Sequence, residues 1–261
     1  MSAPAGGAVG QRWLGVGMLV LLLLAVEAAA RTGIVNPVLI PPPLVVARHA
    51  VDILASGSFA APLGHTLYLL AVAYSVGCLL AIGVGLAMGR NAFVDGLFEP
   101  LVEVLRPLPK PALLPPLMLF LGLGDAMKLT VIGLGVFFPV LINTIQGVRG
   151  TDPVMLDTAR TFQHSRPALL WKVVLPSAMP LILSGMRVAL GIGLVLVVVA
   201  EMMAGTGGIG FLIVDMQRSF RIPDMYAWSA ILAVLGFGLN EVFELIERRL
   251  LHWSGTRDTP A

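Results

Sequence analysis

From Ile53 to Gly89 the chain carries no aspartate, glutamate, lysine or arginine. A run of that kind has one physical home. Roughly 20 consecutive apolar residues carry a helix across the hydrocarbon core, and in lipid a helix satisfies every backbone polar group within its own segment. The pattern recurs. The 18 residues between Arg12 and Arg31 hold a single charge, Glu27, and Leu129 to Val148 are 20 uncharged residues. Further spans are expected over 181–203 and 225–248. Charged residues make up 12% of the chain and hydrophobic ones 57%. A water-facing domain carries about a quarter charged residues, so a soluble domain and a disordered chain are both excluded.

One region is irregular. Leu97 to Gly124 contains Pro100, Pro107, Pro109, Pro111, Pro115 and Pro116, with Glu99, Glu103, Arg106 and Lys110 among them. Proline removes a helix hydrogen bond and clashes with the preceding turn, so no continuous helix is expected here. A helix, a break over 105–111 and a second helix from about Ala112 are predicted. That makes six spans. The first of them, Leu14 to Val26 followed by Ala28-Ala29-Ala30, also has the form of a cleavable leader. It is read as a retained span, because the rest of the chain is itself membrane-embedded.

Lysine and arginine gather on the cytoplasmic side of a membrane protein. With the N-terminus inside, the inner segments hold Arg12, Arg90, Arg149, Arg160, Arg166, Lys172, Arg187, Arg248, Arg249 and Arg257. The outer segments hold Arg31, Arg48, Lys128, Arg218 and Arg221. This asymmetry places both termini in the cytoplasm, with Arg106 and Lys110 at membrane depth.

Several chemistries lack their residues. The net charge of +2 is not clustered, so nucleic acid is not an expected partner, and Cys78 is the only cysteine. The three lysines follow Pro109, Met127 and Trp171, so no Gly-Lys-Ser/Thr phosphate loop exists. The histidines at 49, 65, 164 and 252 are too scattered for a helical zinc motif. Gly122-Leu123-Gly124-Asp125 has the Gly-x-Gly-Asp form of an intramembrane aspartyl protease, but a second aspartate motif is missing. Asp125 is expected to cap the fourth span instead. Gly205-Thr206-Gly207-Gly208-Ile209-Gly210 follows a membrane helix rather than a strand, and is read as a flexible outer turn. Glu201 has two open readings: it faces a cavity or partner, or it reaches the interface.

The polar stretch from Asp152 to Pro176 is the informative one. Thr151 or Asp152 can cap a helix that has Pro153 in its first turn. Met155, Ala159 and Phe162 then share one face. A second short helix is expected from Pro167 to about Val174, ending before Pro176. Two amphipathic helices suit a groove on a partner protein, and a helix lying on the lipid surface is the alternative.

This stretch resembles the cytoplasmic loop of the permease subunits of binding-protein-dependent ABC importers. That family's loop reads Glu-Ala-Ala, three residues, Gly, nine residues, Ile, any residue, Leu-Pro. Asp157-Thr158-Ala159, Gln163 and Val173-Val174-Leu175-Pro176 keep its spacing, with Asp, Thr and Gln as departures. The resemblance covers roughly residues 35–253 and is similar to the sulfonate, taurine and nitrate branch. It is carried also by Leu105-Arg106-Pro107-Leu108-Pro109, Leu114-Pro115-Pro116, Phe137 to Thr144, Ala200-Glu201-Met202, Gly210 to Asp215 and Glu247 to Leu251.

The resemblance implies an all-α polytopic bundle of the type I importer kind. Its expected divisions are an N-terminal tail, first span and outer linker over 1–60, a permease core over 61–250 with the coupling loop at 150–178, and a tail over 251–261. It implies a subunit of the bacterial inner membrane that moves a small solute by alternating access. Expected partners are two ABC ATPase subunits, an external substrate-binding protein, a second permease copy forming a homodimer, and the bilayer. ATP and magnesium belong to the ATPases, and this chain is expected to bind no cofactor or metal and to carry no catalytic residue. The implied coupling residues are Asp152, Met155, Asp157, Thr158, Ala159, Phe162, Gln163, Leu175 and Pro176. Arg106, Asn143, Glu201 and Met202 are assigned to the translocation path. An ion-coupled secondary transporter or channel is the rival, though no internal repeat is found between the halves.

Overall fold

The computed structural model describes residues 7–252, and every element among them is helical. In order these are α1 (Gly7–Arg31), α2 (Pro43–Ala55), α3 (Ala60–Arg90), α4 (Ala92–Leu105), α5 (Leu114–Leu121), α6 (Asp125–Arg149), α7 (Pro153–Thr161), α8 (Arg166–Leu169), α9 (Leu175–Ala204), α10 (Ile209–Arg218) and α11 (Ile222–Leu250). Among the described residues four helices are long and apolar enough to cross a membrane: α3, α6, α11 and the continuous stretch Pro167–Ala204. The first expected span lies within α1. Of the arginines counted for orientation, Arg257 lies outside the described residues, as do the side chains of Arg12 and Arg166.

The proline-rich region divides as its composition demands. α4 ends at Leu105, a 3-10 turn spans Lys110–Leu113, and α5 begins at Leu114 with proline in its first turn. The expected second loop helix is corrected. It does not stop before Pro176 but runs through a π turn at Leu170–Val174 straight into α9, whose first turn contains Pro176. The Leu175 amide bonds back to the Leu170 carbonyl, five residues away. The wider turn leaves room for a proline ring that lacks an N–H to donate.

Two compact units are present, and their boundary falls inside α10 and α11. One ends at Ala60 and takes in Leu212–Leu232; the other is Ala61–Phe211, resuming at Ala233. In the first unit Glu27 accepts from Arg31 at 2.6 Å and from the Leu44 amide at 3.0 Å, tying α1 to α2. His49 contacts Asp224 at 2.8 Å, and Arg221 donates to the same carboxylate at 2.8 Å.

In the second unit small residues decide the packing. Ala73, Gly77, Ala81 and Gly85 recur every fourth position of α3 and form one buried stripe. A Cβ on Gly85 would stand 2.7 Å from the Thr144 side chain and 3.2 Å from the Leu141 carbonyl, so α3 lies directly on α6. α9 lies on α6 as well, and a Cβ on Gly185 would stand 3.0 Å from the Pro139 carbonyl. Lipid tails are as apolar as leucine, so helix association in a membrane relies on this close van der Waals fit. Tyr74 donates to the Met186 carbonyl at 2.9 Å, Asp95 pairs with Arg149 at 2.5 Å, and Arg187 pairs with Glu247 at 2.5 Å.

Candidate functional site

α7 stands between two membrane-length helices, and its ends are built locally. Asp152 is the cap: its carboxylate accepts from the Val154 amide at 2.8 Å, and Pro153 occupies the first turn, where a missing N–H costs nothing. At the other end the Gln163 amide bonds to the Arg160 carbonyl at 2.9 Å, and the His164 amide bonds to the Ala159 carbonyl at 3.2 Å. This paired closure requires a left-handed residue, and Gln163 supplies it with φ of 55°. Gln163 is the position aligned with the family's glycine. The departure keeps the turn, at a cost of about 1 kcal/mol for a side chain held in that conformation.

The face of α7 differs from the expected one. Val154, Met155 and Phe162 are exposed at 70%, 50% and 74%, whereas Ala159 is 7% exposed. Ala159 therefore points into its own chain, away from the exposed apolar edge of the helix. The outward edge runs through Val154, Thr158 and Phe162 at four-residue steps, beside Met155. That spacing is present in the sequence, but the alternative stripe through Ala159 is equally periodic. Asp157 and Arg160 pair at 2.9 Å on the exposed surface. Leu175 and Pro176 are half-buried at the start of α9, where Leu175 packs with Val148, Val174 and Ala178. Trp171, 65% exposed on the π turn, was not anticipated.

The residues assigned to a path separate into two kinds. Arg106 ends α4 at the break, and its side chain is 54% exposed, 3.9 Å from Glu103. Met202 is 38% exposed. Asn143 donates to the Pro139 carbonyl at 2.8 Å and is packed under Gly185. Glu201 is fully buried, so it neither reaches the interface nor lines an open path in this structure. Lys110 takes the other basic position at the break. Its ammonium donates to the Leu105, Leu108 and Arg106 carbonyls at 2.8, 3.1 and 3.2 Å, and lies 4.4 Å from the Phe138 ring centre. The Leu105 carbonyl also accepts from the Leu108 amide at 3.4 Å, so the ammonium adds to that bond and supplies a donor to the Arg106 and Leu108 carbonyls.

Glu201 is the centre of a buried polar node. Thr66 donates to its carboxylate at 2.8 Å, and the Gly210 amide donates at 2.9 Å. The Ile209 amide in turn donates to the Thr66 hydroxyl at 3.0 Å. The glycine turn over 205–210 is thus pinned, not free, which corrects the flexible-turn reading. Gly208 has φ of 93°, and a Cβ there would collide with the Glu201 carboxylate. His65 bridges outward from the node, 3.6 Å from Glu201 and 3.5 Å from Asp125. Asp125 makes no capping hydrogen bond. It is the first residue of α6 and pairs with the buried Lys128 at 3.1 Å.

A family model described as binding-protein-dependent transport system inner membrane component matches residues 77–252. The taurine transport system permease protein TauC of Escherichia coli is 32% identical over 93% of this chain and 90% of its own length. The putative aliphatic sulfonates transport permease protein SsuC of Bacillus subtilis is 31% identical over 92% of this chain and 88% of its own. Among solved structures, an amino acid ABC transporter with histidines superposes with a TM-score of 0.63 at 18% identity, over 76% of this chain and 97% of that one.

Proposed function

This chain belongs to the family of binding-protein-dependent transport system inner membrane components, and from that premise we propose that it carries a small solute with an anionic group, such as a sulfonate or nitrate. As the permease of an ABC importer it is a transport component of a multi-pass membrane protein complex. The solute is taurine, another sulfonate, nitrate or a similar small compound. Support comes from relatives named for taurine and aliphatic sulfonates, and from the exposed guanidinium of Arg106 at the break between α4 and α5. A positive group at a broken helix attracts an anion where the bilayer otherwise repels it.

The carrying observation is the exposed apolar edge of α7, with Val154, Met155 and Phe162 projecting between α6 and α9. A short amphipathic helix in that position is suited to a groove on an ATPase subunit. ATP and magnesium are bound by two such subunits, because the chain has no phosphate loop of its own. Motion of α7 is passed to α9 through the π turn, which is continuous with it, and to α6 through the short connection from Gly150 to Asp152. The core then alternates between two states that expose one path to opposite sides. In this reading residues 152–176 and both termini lie in the cytoplasm of a bacterial cell. A second copy covers exposed apolar residues such as Leu119 and Phe120, and a binding protein delivers the solute from outside.

Reconstitution tests the assignment. The chain, its ATPase and its binding protein in liposomes are expected to accumulate a labelled sulfonate only with ATP. Uptake by the chain alone, driven by an ion gradient, would replace this reading with a secondary transporter.

A further inference from the structure

The end of α3, the last turn of α6 and α7 border a pocket of about 360 Å³ that the transport scheme does not use. Arg90, Arg149 and Arg160 line it, with Thr151, Leu156 and Val174. Arg149 is paired with Asp95 and Arg160 with Asp157, but Arg90 has no ion-pair partner among the described residues. Thr151 is 4% exposed, and its hydroxyl has no hydrogen-bond partner. A buried hydroxyl left unpaired is unfavourable, and the three arginines lining the same pocket offer guanidinium donors suited to phosphate oxygens.

A second groove, of about 390 Å³, also has Arg90 in its wall. Gly83, Leu86, Ala87, Val94 and Leu170 line most of it, with Asn91 beside Arg90, so away from those two residues its wall is apolar. Arg90 therefore stands where a cationic pocket and an apolar groove meet, at the end of a helix long enough to cross a membrane. A free anion has no use for the groove, and an acidic side chain from a partner subunit would fill only the pocket. We propose that this is a binding site for an anionic phospholipid, with the headgroup phosphate among Arg90, Arg149, Arg160 and Thr151 and one acyl chain along the groove. Basic pockets between membrane helices recognise anionic headgroups by this chemistry. The bound lipid would join the end of α3 to α7, which makes the position of α7 dependent on the surrounding bilayer.

The test uses the full chain in detergent, titrated with phosphatidylglycerol, phosphatidylcholine or inorganic phosphate. Native mass spectrometry reads retained lipid, and thermal melting reads the stabilisation. Phosphatidylglycerol is expected to be retained and to raise the melting temperature. Arg90→Gln is expected to weaken its binding about fivefold, the loss of one arginine contact near an anionic surface. Thr151→Val is expected to melt no lower than wild type without lipid and to show a smaller lipid-induced rise. An equal rise with inorganic phosphate would make the pocket a free-anion site, and an equal rise with phosphatidylcholine would remove the charge recognition. If Arg90→Gln binds phosphatidylglycerol like wild type but loses ATPase association, the pocket receives a protein side chain and the proposal fails.

Discussion

Thr66 donates its hydroxyl to the Glu201 carboxylate at 2.8 Å, joining α3 to α9 across 135 residues of sequence. The same hydroxyl oxygen accepts from the Ile209 amide at 3.0 Å, so one small side chain serves both the acid and the loop that follows it. Removing that hydroxyl leaves a carboxylate and an amide short of partners inside the protein. Thr66→Val is expected to destabilise the fold by about 1–3 kcal/mol, and Thr66→Ser to retain most of the stability. Thermal melting of the purified variants checks this, and a valine variant as stable as wild type would show the node to be dispensable.

The glycine turn allows a contrast between neighbours. At Gly208 the backbone is left-handed and an added methyl meets Glu201, whereas nothing lies within 4 Å of a Cβ on Gly207. Gly208→Ala is expected to lose more than about 1 kcal/mol, while Gly207→Ala stays near neutral. Equal melting temperatures for the two would contradict the pinned loop.

Gln163 occupies a left-handed conformation at the end of α7. Gln163→Gly relieves about 1 kcal/mol of strain, against a gain in unfolded-chain entropy of about 0.5–1 kcal/mol, so its melting temperature should be equal to wild type or slightly higher. Gln163→Val places a β-branched residue where it is least tolerated, and the variant is expected to melt clearly lower. Hydrogen exchange of the Gln163 and His164 amides reports whether the closure persists.

On α7 burial separates folding from docking. Ala159→Trp forces a large ring into the chain's own interior and is expected to cost about 1–3 kcal/mol of stability. Phe162→Ala leaves the fold unchanged, because the ring is 74% exposed. It is expected to weaken ATPase association by about 2 kcal/mol, roughly thirtyfold, if the ring is a buried anchor of that interface. Unaltered association in Phe162→Ala, measured by titration, would move the contact elsewhere.

At the break, Lys110 holds three carbonyls while Arg106 is exposed. Lys110→Met is expected to lower stability by about 1–3 kcal/mol, because the Arg106 and Leu108 carbonyls lose their donor. Arg106→Leu is expected to keep stability and reduce uptake of the anionic solute. Uptake assays and melting curves on both variants separate the two roles.

What the sequence determined by itself is what depends on neighbours along the chain. A hydrocarbon interior favours uninterrupted apolar helices, so α3 and α6 were readable from runs without charge. The break between α4 and α5 followed from prolines that cannot donate, and a cap at Thr151 or Asp152 followed from Pro153, with the structure choosing Asp152. Direction and partnership were decided by the tertiary structure alone. Met155 and Ala159 are equally placed on one stripe of α7, and only the packing of α7 against the bundle turns Ala159 inward. Glu201 reads as a membrane carboxylate in either of two surroundings, and the choice was made by Thr66, far off in sequence. The glycine turn looks free until that carboxylate is seen to hold the Gly210 amide. Helix formation in lipid is settled locally by backbone hydrogen bonds, whereas the partner of a buried polar group is set by whichever distant segment the small-residue stripe of α3 allows to come close.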